Sequence, residues 1–327
     1  MKKILALVLA LCMIFALVSC NDTPENPDVT VRATVMKGPT GMGMSKLMKD
    51  DANGTSQNDY EFTVAASPDE ARNALISGTT DIAALPVNLA AVLYNKGVDI
   101  SFVGINTLGV LYILENGNTI TSVEDLRGKT IYATGQGSTP QYILEYLLTK
   151  NGIDLENDIT IEYIAEHAEL ATKLATGDAA IGILPEPNVT SALSAATQNG
   201  NTALRIALDV TEEWEKFGEG ELCQGCIVVT NQFKNEHPEQ YAKFLKEYAA
   251  SAEYVVTEVD EASKIIEEFG IIPKAPLAKK AIPNANICFI DGDDGIAYMQ
   301  SVLNVLYTAN PSSVGGKLPD DAFYGKK

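Results

Sequence analysis

Two short stretches of this chain have the composition of loops that hold a small molecule by its polar edge. Lys37-Gly38-Pro39-Thr40-Gly41-Met42 and Gly135-Gln136-Gly137-Ser138-Thr139-Pro140 each set glycines beside neutral hydrogen-bonding side chains, just ahead of a helical stretch. Backbone N–H groups at a helix start lack intrahelical partners, and the helix dipole favours a ligand oxygen there. Gly41 and Gly137 allow close backbone approach. Thr40, Asn88, Gln136, Ser138 and Thr139 supply neutral donors and acceptors; Met42, Leu85 and Tyr132 supply apolar wall. Plain structural readings stand beside these: Ser138 or Thr139 can cap the following helix, and the glycines can serve turns. Glu186, in Leu184-Pro185-Glu186-Pro187, is the one carboxylate among these loops. It either accepts from ligand N–H groups, caps the next helix, or pairs with a lysine. No Arg stands in the loops and Lys37 is the only nearby cation, whereas a sulfonate or nitrate site usually wants an Arg fork. A flat, neutral or cationic, nitrogen-containing ligand is therefore favoured over an oxyanion.

Other chemistries find less support. Nucleophilic catalysis needs a nucleophile, a base and an orienting group. Of the two histidines only His167 stands near these loops, and no G-x-S-x-G elbow accompanies it. Gly135-Gln136-Gly137 lacks the Gly-Lys-Ser/Thr of a phosphate-binding P-loop. Metal binding wants three or four ligands at one site, and none is expected here. The spacing of Cys223 and Cys226 suits either a tight disulfide or two structural thiols, with Cys288 left over.

The elements that position these residues occur twice. Gly38 and Gly137, Gly78 and Gly177, and Pro86 and Pro185 are each 99 residues apart, as are Ala66, Glu70, Leu75 and Ile82 from Ala165, Glu169, Leu174 and Ile181. Each copy reads as strand (31–36; 130–134), glycine loop, helix (42–49; 140–150), strand (61–65; 159–164), helix ending at Gly78 or Gly177, and a short apolar strand ending in Leu-Pro. Ser67 and Glu70 fit a capping box, with Pro68 at the first helical position. Strand–helix alternation with apolar strands predicts parallel sheets covered by helices. In such sheets ligands sit beyond the carboxyl ends of the strands, where all four loops fall. Two copies facing each other make a cleft that closes as a clamshell. Downstream, residues 226–230 read as a strand returning to the first copy. Residues 238–256, 259–269 and part of 289–307 read as helices, and 311–327 as irregular surface.

Lys2 and Lys3 precede an apolar run, Ile4 to Val18, too short to span a membrane comfortably, which ends in Leu17-Val18-Ser19-Cys20. Small residues ahead of a cysteine resemble the bacterial lipobox, in which Cys20 is lipidated and becomes the first mature residue. Asn21 to Thr30 is polar with two prolines, a flexible tether. The formal charge of −19 and the lack of any Lys/Arg-rich run exclude a nucleic-acid partner.

Taken in order, the first glycine loop, Asp81-Ile82-Ala83-Ala84-Leu85-Pro86, Leu126-Arg127-Gly128-Lys129-Thr130-Ile131, Gly135 to Pro140, and Gly182-Ile183-Leu184-Pro185-Glu186-Pro187 resemble the solute-binding proteins of ABC transporters for nitrate, sulfonate, taurine and thiamine precursors. The resemblance runs from about Val29 to Tyr324. It implies an α/β, type II periplasmic-binding-protein fold: two similar lobes joined by a two-segment hinge, crossing near Glu115 and Cys223. On that template residues 1–20 are the lipoprotein signal and 21–29 the tether. Residues 30–115 with 226–327 form lobe one, and 116–225 lobe two. Ligand-binding residues would be Pro39, Thr40, Gly41, Met42, Leu85, Pro86, Asn88, Gln136, Gly137, Ser138, Thr139 and Glu186. The protein would be an extracytoplasmic monomer, held to the membrane by lipid alone, needing no cofactor, and passing a small organic molecule to a permease and its ATPase. Relatives of this fold that make the thiamine pyrimidine are the enzymatic alternative; their cysteine run does not occur here.

Overall fold

The computed structural model describes residues 29–217 and 220–326. The signal stretch, Cys20 and the tether as far as residue 28 lie outside the described residues. The first half runs β1 (Thr30–Met36), α1 (Pro39–Met42), α2 (Ser45–Ala52), β2 (Asp59–Ala65), α3 (Pro68–Ile76), β3 (Ile82–Pro86), α4 (Val87–Asn95) and β4 (Ile100–Leu108). Then come β5 (Leu111–Asn116), β6 (Thr130–Ala133), α5 (Thr139–Lys150), β7 (Thr160–Tyr163), α6 (His167–Thr176), β8 (Ile181–Pro185), α7 (Asn188–Gln198), β9 (Leu204–Asp209) and α8 (Val210–Glu215). The chain ends with β10 (Cys223–Thr230), α9 (Asn231–Glu236), α10 (Pro238–Thr257), α11 (Val259–Glu268), α12 (Ala275–Ala281), β11 (Ile287–Ile290) and α13 (Gly292–Ala309).

These strands form two sheets, ordered β11-β4-β10-β3-β1-β2 and β7-β6-β8-β5-β9. Setting β2-β1-β3-β10-β4 beside β7-β6-β8-β5-β9 matches the two sheets strand for strand, which is the internal repeat in three dimensions. α3 and α6 begin at Pro68 and His167, and β3 and β8 end at Pro86 and Pro185, each pair 99 residues apart. In that matching the fourth strand of each sheet runs antiparallel to both its neighbours, β10 to β3 and β4 and β5 to β8 and β9; β11 adds a further antiparallel edge against β4. β3 is buried along nearly its whole length, whereas edge strand β2 alternates, as its position requires.

Local signals behave largely as their chemistry dictates. Ser67 Oγ accepts from Glu70 N–H at 3.4 Å; the Glu70 carboxylate reaches one residue further back than a strict capping box, to Ala66 N–H at 2.8 Å. Gly177 closes α6 at φ 86°, the left-handed value glycine tolerates. Phe244, Tyr248 and Ala252 of α10 are buried. One buried cluster runs unbroken from Ile105 and Leu303 to Leu147 and Trp214.

Several boundaries differ from the sequence reading. The first crossing lies at Gly109–Val110 rather than near Glu115, because Leu111–Asn116 pairs with β8 and β9 and belongs to the second sheet. The chain leaves that sheet after Asp209 and rejoins the first at Cys223. The helix expected within residues 289–307 is there, running Gly292–Ala309, with Phe289 in β11 just ahead of it. The C-terminal stretch is not merely surface: Val314, Phe323 and Tyr324 are buried, and Phe102 N–H donates to Phe323 O at 2.8 Å. Cys223 and Cys226 are buried free thiols on β10, and Cys288 is a half-buried free thiol on β11. Burial pushes the Cys223 and Cys226 thiols well above their ordinary range, so they pack as small apolar residues.

Candidate ligand-binding cleft

The four loops singled out in the sequence follow β1, β3, β6 and β8 at their carboxyl ends. In the first, Pro39 occupies the opening position of α1 and Gly38 adopts φ 92°. A Cβ on Gly41 would sit 2.0 Å from Met36 O, so only glycine lets the loop fold back on its own strand. The Thr40 carbonyl accepts from Asn106 Nδ2 at 3.0 Å. Opposite it, a Cβ on Gly225 would meet Thr40 Cγ2 at 2.4 Å and Asn106 Oδ1 at 2.5 Å, which explains a glycine inside buried strand β10. Met42 and Leu85, expected as apolar wall, are fully buried, and Pro86 is half-buried.

On the second wall Gly135 and Gly137 take φ 73° and 78°. Ser138 makes no side-chain cap to α5; its hydroxyl donates to Gly135 O at 2.6 Å and closes the turn. Gly137 N–H donates to Gln141 Oε1 at 2.6 Å, and Gln141 Nε2 to Glu145 at 2.6 Å. Gln136 is exposed. Thr139 is buried and its hydroxyl donates to Asn88 Oδ1 at 2.7 Å, while Asn88 Nδ2 donates to Ser313 O at 3.3 Å. The start of α5 in the second lobe and the start of α4 in the first are thus joined directly. Behind this loop Thr134 Oγ1 and His167 Nδ1 are 2.6 Å apart, and burial lowers the imidazole's pKa against the opposing pull of Glu166.

Glu186 is 1% exposed. Its carboxylate accepts from Thr190 N–H at 3.1 Å and Thr190 Oγ1 at 2.9 Å, capping α7. The Asn284 side chain, reaching over from the first lobe, is a further hydrogen-bonding neighbour. Burial pushes the carboxyl's pKa up, and the Thr190 and Asn284 donors oppose it. Tyr112 of β5 donates its hydroxyl to Asn284 O at 3.3 Å. Pro187 faces Gly38, with its Cδ 3.9 Å from the place a Gly38 Cβ would occupy.

Sequence reasoning missed Asn106, Tyr112, Gln224, Asn284 and Asn286. Val110 N–H at the first crossing donates to Gln224 Oε1 at 2.6 Å. Asn286, at φ 43°, donates its amide to Gly109 O at 2.5 Å and accepts from Leu108 N–H at 3.0 Å. The run Pro283-Asn284-Ala285-Asn286 has turn composition, the one signal that marks it. The hydrogen bonds of these residues tie together the ends of β4, β5, β10 and β11, strands distant in sequence.

A family model described as the periplasmic substrate-binding protein of a phosphonate ABC transporter matches residues 50–277. A comparison with curated proteins finds no match. An ABC transporter structure from Parabacteroides distasonis superposes with a TM-score of 0.76 at 26% identity, covering 92% of this chain and 100% of that one. The periplasmic aliphatic sulphonate binding protein of Escherichia coli gives 0.69 at 16% identity, over 90% and 93% of the two chains. The periplasmic nitrate-binding protein of Synechocystis gives 0.60 at 12%, over 88% and 84%. The last two share the type II periplasmic-binding-protein fold expected from the sequence. With the model spanning most of the described residues and this two-lobed fold, the chain belongs to the periplasmic substrate-binding proteins of phosphonate-type ABC transporters.

Proposed function

We propose that this protein is the lipid-anchored, monomeric receptor of an ABC importer. It captures a small organic molecule between its lobes, closes on it, and hands it unchanged to a permease driven by an ATPase. The observation that carries this reading is the convergence of four loops at the carboxyl ends of β1, β3, β6 and β8. Two of them are already joined across the lobes by the Thr139–Asn88 hydrogen bond at 2.7 Å. Pro39, Thr40, Gly41, Pro86, Gln136, Gly137, Ser138 and Glu186 border the space that closure encloses, with Met42 and Leu85 backing it and Asn88 and Thr139 at its rim. Domain rotation suits a molecule whose lobes are linked by two passages. No described helix is long and apolar enough to cross a membrane; in this reading the lipid on Cys20 is the anchor. The test is incubation with a deproteinised bacterial small-molecule extract, removal of unbound material, and mass spectrometry of what denaturation releases. The expected result is one dominant compound, identical in mass to its form in the extract. A released compound of altered mass, with its conversion abolished by cleft substitutions, marks an enzyme instead. Mass spectrometry of the mature N-terminus should find a diacyl- or triacyl-modified Cys20; an unmodified later start removes the anchor.

A further inference from the structure

The lobes meet through side chains of their own, and one of these, Glu186, carries a charge that a proton can remove. Given the hinge closure proposed above, that charge lies where the moving surfaces part. Glu186 is 1% exposed. Its own lobe supplies Thr190 N–H at 3.1 Å and Thr190 Oγ1 at 2.9 Å, and its backbone N–H donates to Val110 O at 3.0 Å. The first lobe supplies further cover. The Asn284 side chain approaches the carboxylate, the Asn284 carbonyl accepts from Tyr112 at 3.3 Å, and Pro187 Cδ lies 3.9 Å from the place of a Gly38 Cβ. The Thr139–Asn88 bond, by contrast, joins two neutral groups.

Charged and titratable groups face this junction from the neighbouring elements. On β5 stands Tyr112; burial, then Asp209, Glu186 and Glu212, all push its pKa up, so the phenol keeps its proton. Asp209 ends β9 and caps α8 through Thr211 N–H at 2.8 Å, and Glu212 follows in the first turn. On α12, Lys279 pairs with Asp260 at 2.5 Å, and Lys280 lines the recess that Thr190, Leu193, Ser194 and Thr197 form beside the carboxylate. Lys37 stands exposed in the first loop. Lysine ammonium groups carry their charge on both sides of a carboxyl titration, so they do not create a pH dependence there. His167 shares its bond with Thr134 inside the second lobe.

We propose that Glu186 is a proton-operated latch: acid holds the two lobes together, and ionisation of this carboxyl loosens them. In the closed arrangement burial pushes its pKa up against the Thr190 and Asn284 donors. When the lobes part, Asn284 withdraws with the first lobe, water reaches the carboxylate, and Thr190 stays. The pKa then falls toward the ordinary value of about 4.3. The closed form therefore holds its proton more tightly than the open one. Closure gains as pH falls through the raised value, and gains no more once the open form is protonated too. Each unit between the two values changes the closed-to-open ratio about tenfold. The protonated group keeps a carbonyl oxygen for Thr190 N–H, and its O–H can turn to Thr190 Oγ1.

The experiment is small-angle scattering of the full protein, of Glu186→Gln and of Asn284→Ala, each at about pH 8 and about pH 5, both above the ordinary carboxyl value. Glu186→Gln stands in for the protonated group, since its side-chain oxygen still accepts from Thr190. The wild type should be more compact at the lower pH, and Glu186→Gln compact at both. Asn284→Ala lacks the first-lobe donor but keeps the carboxyl. It should be more open than wild type at the higher pH and close more steeply on acidification. A wild-type radius of gyration that ignores pH overturns the proposal, as does an equal pH response in a folded Glu186→Gln protein. An Asn284→Ala protein that matches the wild type at both pH values overturns it whether or not Glu186→Gln folds. Adding a deproteinised bacterial small-molecule extract at the higher pH separates the latch from the hinge. Compaction by the extract but not by acid removes the latch and leaves hinge closure standing; compaction by neither removes both.

Discussion

Glu115 shows how much a single buried carboxylate can depend on its neighbours. Its side chain is 4% exposed and holds the start of the turn after β5. Burial alone would raise its pKa; the Thr119 hydroxyl, the N–H groups of Thr119 and Ile120, and Arg205 outweigh burial and hold it below the usual range. A depressed folded-state pKa contributes stability that is fully present above the unfolded value, about 4.3 for Glu. That stability is lost as pH falls through the folded value. Urea midpoints measured at falling pH should drop below about pH 4.3, and drop less in Glu115→Gln, which has already lost the charge. Equal acid sensitivity in both proteins removes Glu115 as a source. Glu186 titrates in the opposite sense, since its raised pKa favours the folded state at low pH. The sequence marked Glu186 as unusual, because it is the one carboxylate among the four loops. It could not mark Asn284 or Tyr112, whose proximity to it depends on two strands from different parts of the chain.

Loops that begin α1 and α5 use glycine for two different reasons. Gly41 is needed because a Cβ would run into Met36 O at 2.0 Å; Gly137 is needed because φ is 78°, with nothing near its absent Cβ. Gly41→Ala must push the backbone aside, a cost on the order of 1–3 kcal/mol. Gly137→Ala keeps its space and meets only the left-handed penalty, roughly 1–2 kcal/mol. Thermal denaturation should show the larger fall for Gly41→Ala, with the Gly137→Ala loss relieved by Gly137→Asn, which tolerates that backbone region better. A larger fall in Gly137→Ala contradicts this assignment. Elements of the repeat were legible in the sequence because two copies corroborate each other, down to the shared ends at Pro86 and Pro185. β5 and β11 were not. Leu111–Leu114 continues the apolar run of β4 with only Gly109 and Val110 between, and Ile287–Ile290 is too short to declare a period.

The two-lobed body is closed by contacts from both ends of the cleft. Thr139 meets Asn88 on one side, and Asn284 meets Tyr112 on the other. α13 of the first lobe lies against α5 of the second, extending one apolar cluster across both. Under the proposed hinge closure, opening would have to part these surfaces. In Thr139→Val, Asn88 Oδ1 loses its donor inside a buried site. Small-angle scattering of the unliganded variant should give a larger radius of gyration than wild type, and the small-molecule extract should shift both toward the compact value. An identical radius in all four samples counts against hinge closure. The repeat and the strand–helix alternation made a two-lobed α/β molecule readable from sequence. The pairing of the lobes was not, since the contacts that join them obey no periodicity.

The slot that β10 fills has a consequence for how the molecule comes to be folded. β5 to β9 lie on one uninterrupted stretch of chain, so the second sheet is complete as soon as Asp209 is available. The first sheet has to wait. β3 and β4 do not touch until β10 arrives between them, and everything from Gly109 to Leu222 must already have been traversed. Closing that long excursion carries a loop-entropy cost that the second sheet never meets. We expect the second sheet, continuous in sequence, to assemble before the first and to bring Cys223 back toward Leu108, so that β3 and β4 join through β10.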